Sequence, residues 1–153
     1  MEIRHATADD TPQLRALLRE YVNWIGLDLA FQEIDAEIDG LPGEYAPPRG
    51  GLLVACPESG EPVAMIAMRP FDATIAEMKR LYVHPSARGH GLARALIARL
   101  LDEARALGYR DMRLDTLPMM GDAQALYTAL GFVDIAPYYD TPIAGTRFMA
   151  KQL

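Results

Sequence analysis

Residues 83–96 read VHPSARGHGLARAL. Upstream, the segment 74–83 (TIAEMKRLYV) is an apolar, β-favouring run and reads as a strand. Downstream, Ala93, Leu96, Ile97, Leu100, Leu101 and Ala104 recur at helical spacing, so 91–107 reads as a helix that Gly108 stops. Between the two lie a proline, an arginine and two glycines. Glycine costs about 0.5–1 kcal/mol inside a helix relative to alanine, so Gly89 and Gly91 at a helix mouth need a reason. A helix N-terminus presents unpaired N–H groups and the positive end of a dipole. Phosphates bind there, and a residue without Cβ lets them reach the backbone. Residues 88–93 therefore read as a phosphate cradle between a strand and a helix.

The same logic extends in both directions. Residues 2–6 form a short first strand. Pro12 suits a first helical turn, and Leu14, Leu17, Leu18, Tyr21, Val22 and Ile25 then form the stripe of an amphipathic helix ending near Gly26. A weaker acidic helix is expected at about 29–40, and GEYAPPRGG after it is a loop. Residues 51–56 and 62–69 are two apolar strands joined by PESGE, an antiparallel hairpin. Beyond the central helix come a strand at 111–115, a short helix at about 120–130 closed by Gly131, and strands at 132–136 and 144–151. The order β-α-α-β-β-β-α-β-α-β-β predicts an α/β fold of three layers, with a mixed, mostly antiparallel sheet and helices on both faces. After Val83 the crossovers should be locally parallel.

The chain has 153 residues, the size of one domain (1–153). No apolar run approaches a membrane span, and the polar, acidic start MEIRHATADD does not read as a secretory signal. A single cysteine, Cys56, excludes an internal disulfide and suits a reducing, cytoplasmic setting; it ends an apolar run and reads as a small buried hydrophobe. Fifteen basic and 21 acidic residues give a net charge of −6, which does not suit nonspecific nucleic-acid binding. Residues 79–99 carry five basic residues and no acid. That island in an acidic protein suits a small anionic ligand, or else is a solvated helix face. Residues 9–44 hold nine acids against Arg15 and Arg19, a hint of a cationic acceptor. His5, His84 and His90 lack metal-ligand spacing.

Three phosphate motifs compete for the cradle. The P-loop lysine and Ser/Thr are absent. GHGLAR is half of the dinucleotide fingerprint, with Arg94 in place of the third glycine, so a dinucleotide-binding oxidoreductase is a weak alternative. The third is R-x-x-G-x-A, met by Arg88, Gly91 and Ala93 after LYV. That pattern, together with A-x-x-L-Y-x-x-L-G-F at Ala123 to Phe132, resembles the GNAT superfamily of acyl-CoA-dependent N-acetyltransferases. The resemblance covers most of the chain.

It implies acetyl-CoA as cosubstrate and no metal. The pyrophosphate would lie on the turn of Arg88, Gly89, His90, Gly91, Leu92 and Ala93. The pantetheine arm would pair with the backbone of Leu81, Tyr82 and Val83, where a backbone N–H would also hold the oxyanion. Arg94 would reach an adenosine phosphate. Tyr127 would protonate the leaving thiolate, although its helix stripe equally allows it to be core. Glu77, an acid in an apolar strand, is either the base that activates the amine or the ion-pair partner of Lys79, two residues away on the same face. A β-bulge, common at this point in the family, would shift that alternation. The family's asparagine seven residues before the tyrosine is Met120 here, leaving Asp122 as a stand-in N-cap. The acceptor would be a primary amine of a small molecule or peptide. It would lie among Tyr21, Trp24, Asp28, Phe31, Tyr138, Tyr139 and Arg147. A homodimer, common in the family, is a further expectation. The rival reading is an acyl-CoA-binding module without turnover.

Overall fold

A computed structural model describes residues 1–58 and 60–153, with the backbone alone at Phe31. The elements follow the expected order: β1 (Glu2–His5), α1 (Thr11–Ile25), α2 (Ile34–Asp39), β2 (Gly51–Cys56), β3 (Ala64–Pro70), β4 (Ile75–Val83), α3 (Leu92–Ala106), β5 (Asp111–Thr116), α4 (Gly121–Ala129), β6 (Val133–Asp134) and β7 (Arg147–Gln152). The seven strands form one sheet in the order β1-β2-β3-β4-β5-β7-β6. Among the described residues only β4 and β5 pair in parallel; the other neighbours are antiparallel.

Each face of the sheet carries its own core. Leu96, Ile97 and Leu100 of α3 and Phe132 pack against Leu53, Ile66, Met68 and Leu114 on one face. Leu14, Leu17 and Leu18 of α1, with Ile34 and Ile38 of α2, cover Val54, Met65 and Ala67 on the other. The strands β2 and β3 are buried on both faces, so they read as continuous apolar runs rather than alternating ones. Cys56 is buried in the α1 face, a small hydrophobe as expected, and burial raises its thiol pKa.

Four details differ from the sequence reading. The acidic helix at 29–40 breaks into a 3-10 turn at Ala30–Gln32 and the six-residue α2, because Glu33 adopts a left-handed φ of 54° between them. The loop after it contains a 3-10 turn at Gly43–Tyr45. The strand expected at 132–136 shrinks to two residues, β6, on an edge with both side chains exposed, and β7 starts at Arg147 rather than 144.

Two irregularities shape the centre of the sheet. The β4–β5 ladder stops at Glu77↔Arg113, after three residue pairs, although β4 runs on to Val83 and β5 to Thr116. From there the strands part, and the side of β4 facing β5 is left without a partner strand. On the other side, Met65 pairs with Tyr82 but Ala67 pairs with Lys79, so β4 carries one extra residue there. Arg80 takes the strain, at φ 62°. This is a β-bulge. Ala76 and Met78 face α3 before it, and Leu81 and Val83 pack on that side after it. Two consecutive residues, Lys79 and Arg80, therefore both face the α1–α2 side.

Candidate active site

Three spaces follow one another along β4 where the strands part. The first is a small cavity of about 70 Å³ between β4 and β5, floored by Lys79, Arg80 and Asp115 and walled by Tyr21, Leu81 and Tyr127. The second is a cleft of about 540 Å³ that shares Gln32, Lys79 and Arg80 with it and contains Glu77, Arg69 and Tyr138. The third is a groove of about 250 Å³ around Val83, Arg88, Gly89, Gly91 and Ala93.

The groove is built by the glycines. Pro85–Ala87 form a 3-10 turn that His84 caps by accepting from the Ser86 N–H. Gly89 and Gly91 then take φ of 84° and 75°, and Gly91 is the N-cap of α3. No heavy atom lies within 4 Å of where a Cβ would stand on either, so both Cα positions are bare to the groove. The first N–H groups of α3 have no intrahelical acceptor, and the residues that carry them, Leu92, Ala93 and Arg94, line this groove. Of the five basic residues in 79–99, three are spent on ion pairs: Lys79 with Asp115, Arg80 with Glu37 and Arg99 with Glu103. Arg88 and Arg94 remain at the groove. Arg88 donates to the Val83 carbonyl at 2.9 Å, with its guanidinium over Trp24 and Tyr82. His90 is exposed and does not line the groove, and Tyr82 is buried among Tyr21 and Trp24. If these two contribute, it is through backbone.

Tyr127 sits in α4, only 6% exposed and in contact with Phe132, yet it also lines the small cavity. Tyr127 is thus both part of the core and a wall of the cavity. Burial raises its pKa, with Tyr21 and Asp115 adding to the effect, so the hydroxyl stays protonated through neutral pH. Its helix starts at Met120, which is the N-cap but offers no side-chain bond; Asp122 stands in the first turn and is not the cap. Gln124 instead donates to the Leu117 carbonyl at 2.9 Å and pins the helix entrance.

Glu77 is only 4% exposed and is not paired with Lys79. Arg69 donates to its Oε1 at 2.9 Å and the Tyr138 hydroxyl to its Oε2 at 2.7 Å. Lys79 turns to Asp115, which also accepts from Tyr139 at 2.5 Å. Burial raises the Asp115 pKa, but Lys79 and Tyr139 more than offset it and hold the carboxyl below its usual value. Arg80 is clamped by both oxygens of Glu37 and by Gln32.

Of the expected acceptor residues, Tyr21 and Trp24 line the small cavity, and Tyr138 and Tyr139 the cleft. Two fall elsewhere. Asp28 is exposed and caps the Ala30 N–H, and Arg147 is held by Asp134 at the β6 edge and by Gln124. The side chain of Phe31 lies outside the described residues. Arg69, Arg80, Glu37 and Asp115 escaped the sequence reading. One signal was available: Lys79-Arg80 in an otherwise apolar strand is hard to place without a bulge. Among the described residues there is no cluster of three metal-ligating side chains, and no helix is long and apolar enough to cross a membrane.

The comparisons with known proteins agree with this architecture. An uncharacterised N-acetyltransferase of Schizosaccharomyces pombe is 37% identical over 145 residues, covering 94% of this chain and 89% of the relative. An acetyltransferase of the GNAT family from Staphylococcus aureus superposes with a TM-score of 0.83 at 17% identity over 99% of this chain and 98% of that one. A phosphinothricin acetyltransferase from Sinorhizobium meliloti, solved with acetyl-CoA, gives 0.74 at 23% over 99% and 88%. These two likenesses show the fold. The model of the acetyltransferase (GNAT) family matches residues 12–132, and the chain belongs to that family of acyl-CoA-dependent N-acetyltransferases.

Proposed function

We propose that this protein acetylates a primary amine of a small molecule or peptide, by direct attack on acetyl-CoA with both substrates bound. The observation that carries the reading is the succession of three spaces along β4. The groove at Gly89 and Gly91 suits a pyrophosphate, the unpaired side of β4 suits an extended amide-bearing arm, and the small cavity with Tyr127 shares Gln32, Lys79 and Arg80 with the cleft that holds Glu77. The bare glycines and free helix N–H groups are the fit one expects for the pyrophosphate of acetyl-CoA.

Acetyl-CoA supplies the activated acyl carbon. One N–C bond forms and one C–S bond breaks; the amine loses a proton and the sulfur gains one. Glu77 takes the amine proton, directly or through a water, because a carboxylate with two donors still has acceptor sites left. The backbone N–H groups of Leu81–Val83 stabilise the oxyanion. Tyr127, held neutral by burial, donates to the sulfur as it leaves. A single domain working in the cytoplasm fits this chemistry.

Replacing Tyr127 with Phe tests the reading. Thiol release with the best amine of a broad panel should fall about 10²–10⁴-fold, the usual contribution of a general acid, with CoA binding by calorimetry unchanged. A wild type that binds CoA and releases no thiol with any amine would favour the binding module. NADH binding without CoA binding would favour the oxidoreductase.

A further inference from the structure

We infer that the acceptor is an amine bearing a second positive charge and no carboxylate. This inference rests on the acetyltransferase reading above and concerns the 540 Å³ cleft. Its three cations are already engaged. Arg69 donates to Glu77 and, through Nη1, to Glu44 at 2.8 Å. Lys79 is held by Asp115 and Arg80 by Glu37 and Gln32, and both are almost fully buried. A substrate carboxylate entering here would have to share a cation that already holds an acid, and would stand beside the further acids Glu33, Glu44 and Asp140, whose repulsion opposes it.

The acids are in the opposite condition. Glu33 and Asp140 line the outer cleft, exposed, and among the described residues neither has a basic partner within salt-bridge distance. Glu44 beside them is engaged through one oxygen only. The walls add a second preference for cations. Phe71, Tyr138 and Tyr139 line the cleft, and the Arg113 guanidinium already stands 5.0 Å over Phe71 and 5.6 Å over Tyr138. Aromatic faces attract cations and repel carboxylates. The inner end, where Lys79 and Arg80 border the Tyr127 cavity, takes the reacting amine. The rim at Glu33 and Asp140 takes the other charge. An extended diamine or polyamine meets both ends.

The experiment compares acceptors with the full chain and acetyl-CoA, reading thiol release. The probes are spermidine, 1,5-diaminopentane, n-pentylamine and the amino acids L-methionine and L-glutamate. The expected kcat/KM for the diamine is about tenfold above that for pentylamine, the effect of one or two exposed ion pairs, with the amino acids lowest. Replacing both Glu33→Gln and Asp140→Asn should raise the diamine KM and bring the diamine/pentylamine ratio toward one. Preference for an amino acid, or an unchanged ratio in the double variant, overturns this inference alone. Thiol release with none of these or any other amine overturns the acetyltransferase reading as well.

Discussion

Asp10 accepts from both terminal nitrogens of Arg4, at 2.7 and 2.9 Å, and from the Thr7 N–H at 2.8 Å. Hydrogen bonds to Arg4 hold its carboxyl down at about 2, against an ordinary 3.8. The folded state thus binds this proton less readily than the unfolded state. The stabilisation is complete above the ordinary value and is lost as pH falls from there through about 2. Melting temperatures of the wild type should therefore drop between pH 5 and pH 2.5 more steeply than those of Asp10→Asn, which should be less stable at pH 7. Parallel curves over that range would refute the pairing. Nothing in the sequence pairs Arg4 with Asp10, because the bond depends on how the chain turns between β1 and α1. Glu77 teaches the same lesson. Spacing put it beside Lys79, yet its partners Arg69 and Tyr138 come from a neighbouring strand and a distant loop.

The turn into α3 was legible from residue types alone: Gly89 and Gly91, both at positive φ, mark where the strand gives way to the helix. Gly91 sits at φ 75°, a region that costs an L-residue about 1–2 kcal/mol. Gly91→Ala should lower the unfolding free energy by about that amount in urea titrations. It should also weaken CoA binding, because the new methyl group projects into an otherwise open groove. Gly91→Glu adds negative charge at the same place and should abolish CoA binding while the fold persists, as circular dichroism would show. Retained CoA affinity in Gly91→Glu would remove the groove from the site. The bulge in β4 was only half legible: the family resemblance raised it, but its position at Arg80 follows from the register with β3.

Across the whole molecule, Arg80 joins the layers. It leaves the sheet at the bulge and is clamped by Glu37 of α2, both side chains being shielded from water. Burial lowers the Glu37 carboxyl's tendency to ionise, but Arg80 more than restores it, and the group stays ionised. Arg80→Met should cost about 3–5 kcal/mol by stranding that carboxylate, whereas Arg80→Met with Glu37→Leu should recover most of the loss. Urea denaturation of the two variants decides it; equal losses would mean that the pair contributes little beyond packing. The element order, the two-faced core and the glycine turn before α3 were determined by the sequence alone. Each depends on periodicity or on a residue type at a short spacing, which neighbouring residues impose through local sterics and burial. The tertiary structure alone decided which acid meets which base, where β4 and β5 part, and that the cleft's cations are all engaged while its rim acids are not. Those outcomes depend on side chains distant in sequence, and only strand register and helix docking bring them within hydrogen-bond reach.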